Sequence, residues 1–115
     1  MEMSSRQLGE VRILSVRGRI DHACAESFQQ AMAAHLAECR GDRNSLVLDF
    51  GGVDYVSSVG LRALMLAAKQ VKAQSGRIAI AALTPMVAEV FQISRFNLVF
   101  STFETVEGAV AGLVK

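Results

Sequence analysis

The run from Ser45 to Phe50, SLVLDF, is the feature that most constrains how this chain can fold. It is apolar almost without interruption, so it predicts a strand that is covered on both faces, as in a sheet flanked by helices. Gly51 and Gly52 follow directly, and we interpret the pair as the end of that strand. The fold therefore has to place layers of helices against a central sheet.

Strand and helix patterns alternate along the rest of the chain. Short β-branched and apolar runs predict strands, the second of them bounded by Gly9 and Gly18. Apolar residues at three- and four-residue steps predict helices between the strands. The predicted strands are 3–8, 11–16, 45–50, 77–81 and 98–100. The predicted helices are 23–37, 58–76, 85–93 and 105–114. This order indicates one α/β domain over 1–115, with substantially parallel pairing.

Helix ends and helix faces can be assigned from residue type. Asp21 is predicted to cap the first helix, Ser57 or Ser58 the second, and Gly76 to end the second. Pro85 suits the first position of the third helix, because its missing N–H is not needed there. The predicted buried helix faces are Ala25, Phe28, Met32 and Leu36; Leu61, Leu64, Met65, Ala68 and Val71; and Met86, Val90, Phe91 and Ile93.

Composition excludes several classes of protein. Twelve Lys and Arg against eleven Asp and Glu give a net charge of +1, whereas a nucleic-acid binder needs a basic excess to neutralise phosphates. Cys24 and Cys39 are predicted to lie in one helix, too far apart to bond, and no Cys/His cluster indicates a metal. Neither a signal peptide nor an apolar run of about 20 residues is present. We expect a cytoplasmic domain without cofactor, metal or membrane insertion.

Two predicted loops, 18–22 and 51–60, follow strands at the edge where α/β proteins place their sites. Serine catalysis would need a histidine beside Ser58, and His22 is the candidate because His35 belongs to the far end of the first helix. No Gly-x-Ser-x-Gly or phosphate-loop motif supports an enzyme. The carboxylates of these loops have structural explanations, Asp21 as a cap and Asp49 and Asp54 at loop surfaces.

The adjacent serines Ser57 and Ser58 are the remaining candidates for a functional site. A serine at a helix start is usually a cap, but phosphate there would meet free N–H groups at the positive end of the helix. It would add about −1.5 to −2 charges at pH 7 while leaving the fold intact. A partner bound at this place would then lose contact or be repelled. The position therefore suits a switch operated by an external kinase.

The stretch from Leu48 to Arg62, LDFGGVDYVSSVGLR, resembles the motif of STAS domains, and specifically of bacterial anti-sigma factor antagonists. Supporting matches lie in order along the chain at 16–21, 83–87 and 91–96. The resemblance implies a small mixed β-sheet of four to five strands flanked by about four helices, and a protein that is not an enzyme. Such proteins bind an anti-sigma factor that is a GHKL-type serine kinase, and so release a sigma factor. The kinase phosphorylates the antagonist, and a metal-dependent phosphatase reverses the modification.

The family motif places its phosphate acceptor two residues before Gly60, which is Ser58. Ser57 stands where the family commonly has Asp, and is a minor candidate acceptor; Val59 replaces a Ser or Thr. Asp21 matches an aspartate that the family has near the phosphorylation loop. The resemblance implies a partner surface made of Asp21, Asp54, Tyr55, Ser57, Ser58, Val59, Gly60 and Arg62.

Three functions are compatible with these observations. The first is a phosphorylation-switched antagonist. The second is a STAS subunit that is never phosphorylated, in a lipid-transport or stress-signalling complex. The third is a hydrolase using Ser58 and His22. A partner that ATP releases favours the first, transporter subunits that ignore ATP favour the second, and catalysis without any partner favours the third.

Overall fold

The protein is described by a computed structural model, which covers residues 1–41 and 43–113. Its strands are β1 (Glu2–Leu8), β2 (Val11–Ile20), β3 (Ser45–Val56), β4 (Ile78–Ala81) and β5 (Ser101–Phe103). Its helices are α1 (Ala25–Glu38), α2 (Ser58–Ala73), α3 (Pro85–Ile93) and α4 (Val106–Leu113), with a 3-10 turn at Phe96–Leu98. The strands form one sheet in the order β1-β2-β3-β4-β5. β1 and β2 form an antiparallel hairpin, and the other pairings are parallel. The predicted mixed α/β sheet is confirmed.

The core lies on both faces of the sheet, because side chains of a strand alternate between faces. Even-numbered residues of β2, such as Leu14 and Val16, pack with α1, α2 and α3 in the larger cluster. Odd-numbered residues such as Val11 and Ile13 pack with α4 in the smaller one. β3 is buried on both sides over Leu46–Leu48, as its apolar run predicts.

Gly51 and Gly52 do not end β3, contrary to the prediction. The strand continues to Val56 and pairs with β2, which itself passes Gly18 and runs to Ile20. The glycines allow the two strands to pair closely and irregularly. A Cβ on Gly52 would lie 2.4 Å from Arg17 Cγ on β2, so only glycine leaves room for that side chain. Gly18 has a φ of +98, which glycine tolerates, and it lies beside a shift in the register of β2 and β3. Both predicted loops are therefore largely strand, with β-bulges that twist the pair.

The first helix begins at Ala25, two residues later than predicted, and ends at Glu38. Asp21 caps the preceding turn, not the helix: its Oδ1 accepts from the Cys24 amide at 3.1 Å. Cys24 and Cys39 are consequently not within one helix but flank it, both as free thiols. The pair Gly41-Asp42 is the predicted end of the first helix, and Asp42 lies outside the described residues, as does Val114 at the end of the predicted last helix.

The predicted edge strand 98–100 is wrong by three residues, since β5 is Ser101–Phe103. Phe96 and Phe100 instead bracket a helical turn, with the Phe100 amide donating to the Phe96 carbonyl at 2.9 Å. Both rings pack with Phe91, at centroid distances of 5.4 and 6.5 Å. The hydrogen bond between residues four apart identifies a helical turn, because the spacing of the buried aromatics alone suits one face of a helix or of a strand.

Two further assignments change. α3 buries Val87 and Phe91, whereas Met86 and Ile93, predicted to face inward, are 62% and 75% exposed. α2 ends at Ala73 before Gly76, and the left-handed residue that follows it is Ser75, with φ +58. Gly76 is needed for another reason, because a Cβ there would lie 2.6 Å from the Cys39 carbonyl oxygen.

Candidate functional site at the amino end of α2

The two adjacent serines at the start of α2 have different environments. Ser57 is the N-cap: its Oγ accepts from the Gly60 amide at 3.1 Å, and the residue is only 9% exposed. Its own amide donates to the Ile20 carbonyl at 2.8 Å, which joins the start of the helix to the end of β2. Ser58 is the first helical residue and is exposed. Of the pair, Ser58 therefore lies at the surface, while the hydroxyl of Ser57 is used inside the fold.

Gly60 determines how closely α2 approaches the sheet. A Cβ at this position would lie 2.9 Å from Ile20 Cγ2, 3.0 Å from Val56 Cγ1 and 3.1 Å from the Ile20 carbonyl oxygen. All three distances are shorter than ordinary van der Waals contact. The absence of a side chain at Gly60 thus lets the helix start against the ends of β2 and β3, with Ser58 at the surface beside them.

β2 and β3 extend together beyond the rest of the sheet. β4 pairs with β3 only over Leu46–Asp49, so the part of β3 after Gly51 pairs with β2 alone. We call this part, Arg17–Ile20 of β2 with Gly52–Val56 of β3, the strand extension. It carries Arg19, whose guanidinium lies 4.3 Å from the centroid of the Tyr55 ring. Such a cation–π contact orders two exposed side chains, so the extension presents a defined polar and aromatic surface.

Asp21 follows the end of β2 directly. Hydrogen bonding by the Cys24 side chain, then by the Cys24 amide, lowers the pKa of the Asp21 carboxyl, and the charge of Arg19 acts in the same direction. Cys24 Sγ also donates to the Arg19 carbonyl at 3.0 Å. Asp21 is therefore held ionised in a fixed turn beside the strand extension.

The remaining predicted residues divide by exposure. Asp54 and Arg62 are exposed, Tyr55 is 37% exposed, Val59 is half-buried and Gly60 is buried. The structure thus brings Asp21, the strand extension and the start of α2 to one edge of the molecule, through the bond between Ser57 and Ile20. Val59 and Gly60 support this surface more than they form it.

Asp49 is not at a loop surface as predicted. It lies within β3, where Oδ2 accepts from Ser15 Oγ at 3.1 Å and Oδ1 from the Gly51 amide at 3.0 Å. His35 is at the opposite end of the sheet, with Nδ1 3.2 Å from Arg12 at the start of β2. His22 is exposed in the turn before α1.

Sequence reasoning missed two contributors to this edge. Arg19 was not among the candidate residues, although its register opposite Tyr55 brings the two together. Thr84 directly precedes Pro85 at the start of α3, and its Oγ1 donates to the Val53 carbonyl at 2.9 Å, which joins α3 to the strand extension. Neither contact has a local signal, because each depends on the pairing of β2 with β3 beyond the glycines.

Within the described residues, no group of three or more His, Cys, Asp and Glu side chains could hold a metal ion. Over the same residues, the helices are too short or too polar to span a bilayer.

The sequence profile of the STAS domain matches residues 2–109. The chain belongs to the STAS family. This membership agrees with the mixed sheet and with the position of α2 against its parallel strands.

Individual proteins resemble this STAS domain in sequence or in fold. A protein assigned as the anti-sigma factor antagonist BtrV of Bordetella bronchiseptica is 35% identical over 111 residues, which cover 96% of this chain and 93% of the relative. The crystal structure of an anti-sigma factor antagonist from Mycobacterium paratuberculosis superposes with a TM-score of 0.87 at 23% identity, over 99% of this chain and 94% of that one. The phosphorylated form of the Bacillus cell fate determinant SpoIIAA superposes with a TM-score of 0.71 at 17% identity, over 97% and 99% of the two chains.

Proposed function

We propose that this STAS domain is a cytoplasmic anti-sigma factor antagonist that is switched by phosphorylation of Ser58. The unmodified protein binds an anti-sigma factor, a GHKL-type serine kinase, and so frees a sigma factor. The kinase then phosphorylates Ser58 and the complex separates, and a metal-dependent phosphatase restores the binding form. The protein itself performs no catalysis. The observation that carries the proposal is the exposed Ser58 hydroxyl at the first residue of α2, beside a neighbouring serine whose hydroxyl is already committed as the cap.

The surroundings of Ser58 support a charge switch that leaves the fold intact. The first turn of α2 contains no acidic residue, and the helix dipole stabilises negative charge at this end. A phosphate of about −1.5 to −2 charges can therefore be accommodated by the helix. For a bound partner the effect is larger, because two unit charges about 4 Å apart near a surface repel by roughly 4 kcal/mol before screening. Similarity to BtrV supports the partner class, and similarity to SpoIIAA supports the modification.

The test is capture of partners from native-host lysate on the unphosphorylated chain, followed by addition of ATP. We expect recovery of a GHKL-type kinase that ATP releases as Ser58 gains phosphate, measured by mass spectrometry. Ser58→Ala should stay bound in ATP, Ser58→Glu should bind weakly, and Ser57→Ala should still be released. Recovery of transporter subunits that ignore both ATP and Ser58→Glu would instead favour a structural STAS subunit.

A further inference from the structure

The outer face of α2 is positively charged along its length. The helix sequence, SVGLRALMLAAKQVKA, contains three cationic residues and no acidic one. Arg62, Lys69 and Lys72 are exposed, and none of their side chains forms an ion pair or hydrogen bond with the residues that the structure describes. The cations are therefore available to a partner.

The exposed residues of α2 also form a continuous line that starts at the proposed switch. Ser58, Arg62, Leu66 and Lys69 follow one another at steps of four, four and three residues, which keeps them on one helix face. We call these four residues the outer stripe. It extends about 16 Å along the helix, given a rise of about 1.5 Å per residue. Leu66 is 44% exposed in the middle of the stripe, so the line combines positive charge with an apolar contact.

The outer stripe ends at Lys69, which lines a groove in the surface. The groove has a volume of about 770 Å³ and lies between α2 and the segment before β5. Leu98 and Val99 on that segment are 77% and 40% exposed, and Lys69 and Lys72 line the facing wall. Among its described lining residues none is acidic. Apolar side chains could be buried in such a groove while carboxylates pair with the lysines at its rim.

We infer that the outer stripe and this groove are the docking surface for an acidic, amphipathic segment of the anti-sigma factor. The charge and the exposed Leu66, Leu98 and Val99 are complementary to a segment that alternates Asp or Glu with large apolar residues. The inference rests on the proposed function for the identity of the partner. It adds the chemistry of the segment that binds, and a surface that extends away from Ser58.

This surface also accounts for release by phosphate. A phosphoserine at position 58 is four residues before Arg62 and lies within reach of its guanidinium on the same helix face. The phosphate would neutralise the first cation of the outer stripe and would repel the acidic segment that the stripe binds. A single modification at one end of α2 would thus oppose binding along the stripe.

Charge reversal tests the inference on the unphosphorylated full chain and the purified anti-sigma factor. Lys69→Glu, eleven residues from Ser58, is expected to weaken the affinity measured by calorimetry by about tenfold or more and to reduce its dependence on salt. Arg6→Glu is the matched control, since it makes the same charge change at an exposed position of β1 and is expected to bind within about twofold of wild type. Equal affinity for wild type and Lys69→Glu would overturn the docking surface while leaving the proposed function in place.

Photo-crosslinking provides a second readout in an otherwise wild-type chain. A photoreactive phenylalanine at Leu66 is expected to crosslink to an acidic segment of the anti-sigma factor, whereas one at the exposed Ala33 of α1 is expected not to. Crosslinking of Leu66 to a second copy of this chain, or no crosslink in a complex that forms normally, would overturn the inference. If the wild-type chain bound no anti-sigma factor at all, the proposed function would fail and this inference with it.

Discussion

Ser57 and Ser58 are adjacent, but the hydroxyl of Ser57 is used within the fold whereas Ser58 is exposed. Ser57→Ala removes the bond from the Gly60 amide to Ser57 Oγ, so we expect the free energy of unfolding in urea to fall by about 1 kcal/mol. Ser58→Ala removes no side-chain hydrogen bond among the residues that the structure describes and should leave that free energy within about 0.5 kcal/mol of wild type. Equal losses for the two variants would contradict the assignment of Ser57 as the cap.

A substitution at Gly60 is also predicted to change the stability of the fold. Gly60→Ala places a methyl group against Ile20 and Val56, including a backbone oxygen that cannot move aside. We expect it to lower the free energy of unfolding by about 1–3 kcal/mol, despite the better helix propensity of alanine. Gly108→Ala in α4 is the comparison, because its Cβ would approach only the Thr105 hydroxyl, at 3.1 Å. A stabilised Gly60→Ala variant would show that α2 can move away from β2 without cost.

The two thiols differ in accessibility and should differ in reactivity. Burial raises the pKa of the Cys39 thiol, and Cys39 Sγ donates to the Arg77 carbonyl at 3.3 Å. Cys24 is half-exposed at the start of α1. Iodoacetamide should therefore modify Cys24 in the native protein and Cys39 only after unfolding, as followed by intact mass. Modification of Cys39 at the same rate in native protein would contradict its burial.

The end of α1 is fixed to the hairpin of β1 and β2 through Arg12. Its guanidinium donates to Gln7 Oε1 at 2.8 Å and to Glu38 Oε1 at 3.1 Å, and lies 3.2 Å from His35 Nδ1. Burial, then the charge of Arg12, lowers the pKa of His35, with Glu38 opposing. The folded state thus favours neutral His35, so this contribution to stability is complete above the unfolded pKa, about 6.5, and is lost as pH falls below it.

The prediction is a smaller dependence of stability on pH in His35→Gln. Between pH 7.5 and 5.5, the free energy of unfolding of wild type should fall more than that of this variant, measured by urea titration at each pH. His22→Gln is the matched control, because it makes the same substitution and leaves the network around Arg12 in place. A wild-type slope in His35→Gln would show that another group is responsible.

Elements were predictable from sequence where their signal was local. The apolar run at Ser45–Phe50 and the inward faces of α1 and α2 depend on spacing alone, and the structure confirms them. The continuation of β3 past Gly51 was not predictable, because the same glycine pair can end a strand or admit the side chain of a neighbour. Only the pairing with β2, where Arg17 lies over Gly52, distinguishes the two cases.

In the molecule as a whole, the family resemblance selected more candidate site residues than the local patterns did, and the roles of those residues stay predictions. The motif selected Ser58 and the residues around it, and the structure brings Asp21 and Tyr55 to the same edge. The contact of Arg19 with Tyr55 could be found only from the structure, because it depends on strand register. The same holds for the different environments of the two serines, because they depend on one hydrogen bond at the helix cap. The outer stripe of α2 could have been read from the spacing of Ser58, Arg62, Leu66 and Lys69, but its exposure could not.

The distance of Ser58 from the core leads to a prediction for the proposed phosphorylated form. Ser58 is exposed, and the larger cluster lies beneath α2 rather than around its first residue. Ser58→Glu and the phosphorylated chain should therefore melt cooperatively within about 3 °C of wild type by scanning calorimetry. Loss of the cooperative transition in either form would mean that release of the partner reflects unfolding.

The smaller cluster has a consequence for anyone who shortens or extends this chain. Val11, Ile13, Val47, Ala79 and Ala81 are buried on the face where Ala109 of α4 packs, and Gly112 lets that helix lie against the Phe103 ring. A truncation before α4 would expose this apolar face of the sheet to a second molecule, and an exposed apolar patch of this kind favours aggregation. α4 therefore shields this apolar face of the sheet from contact with other molecules.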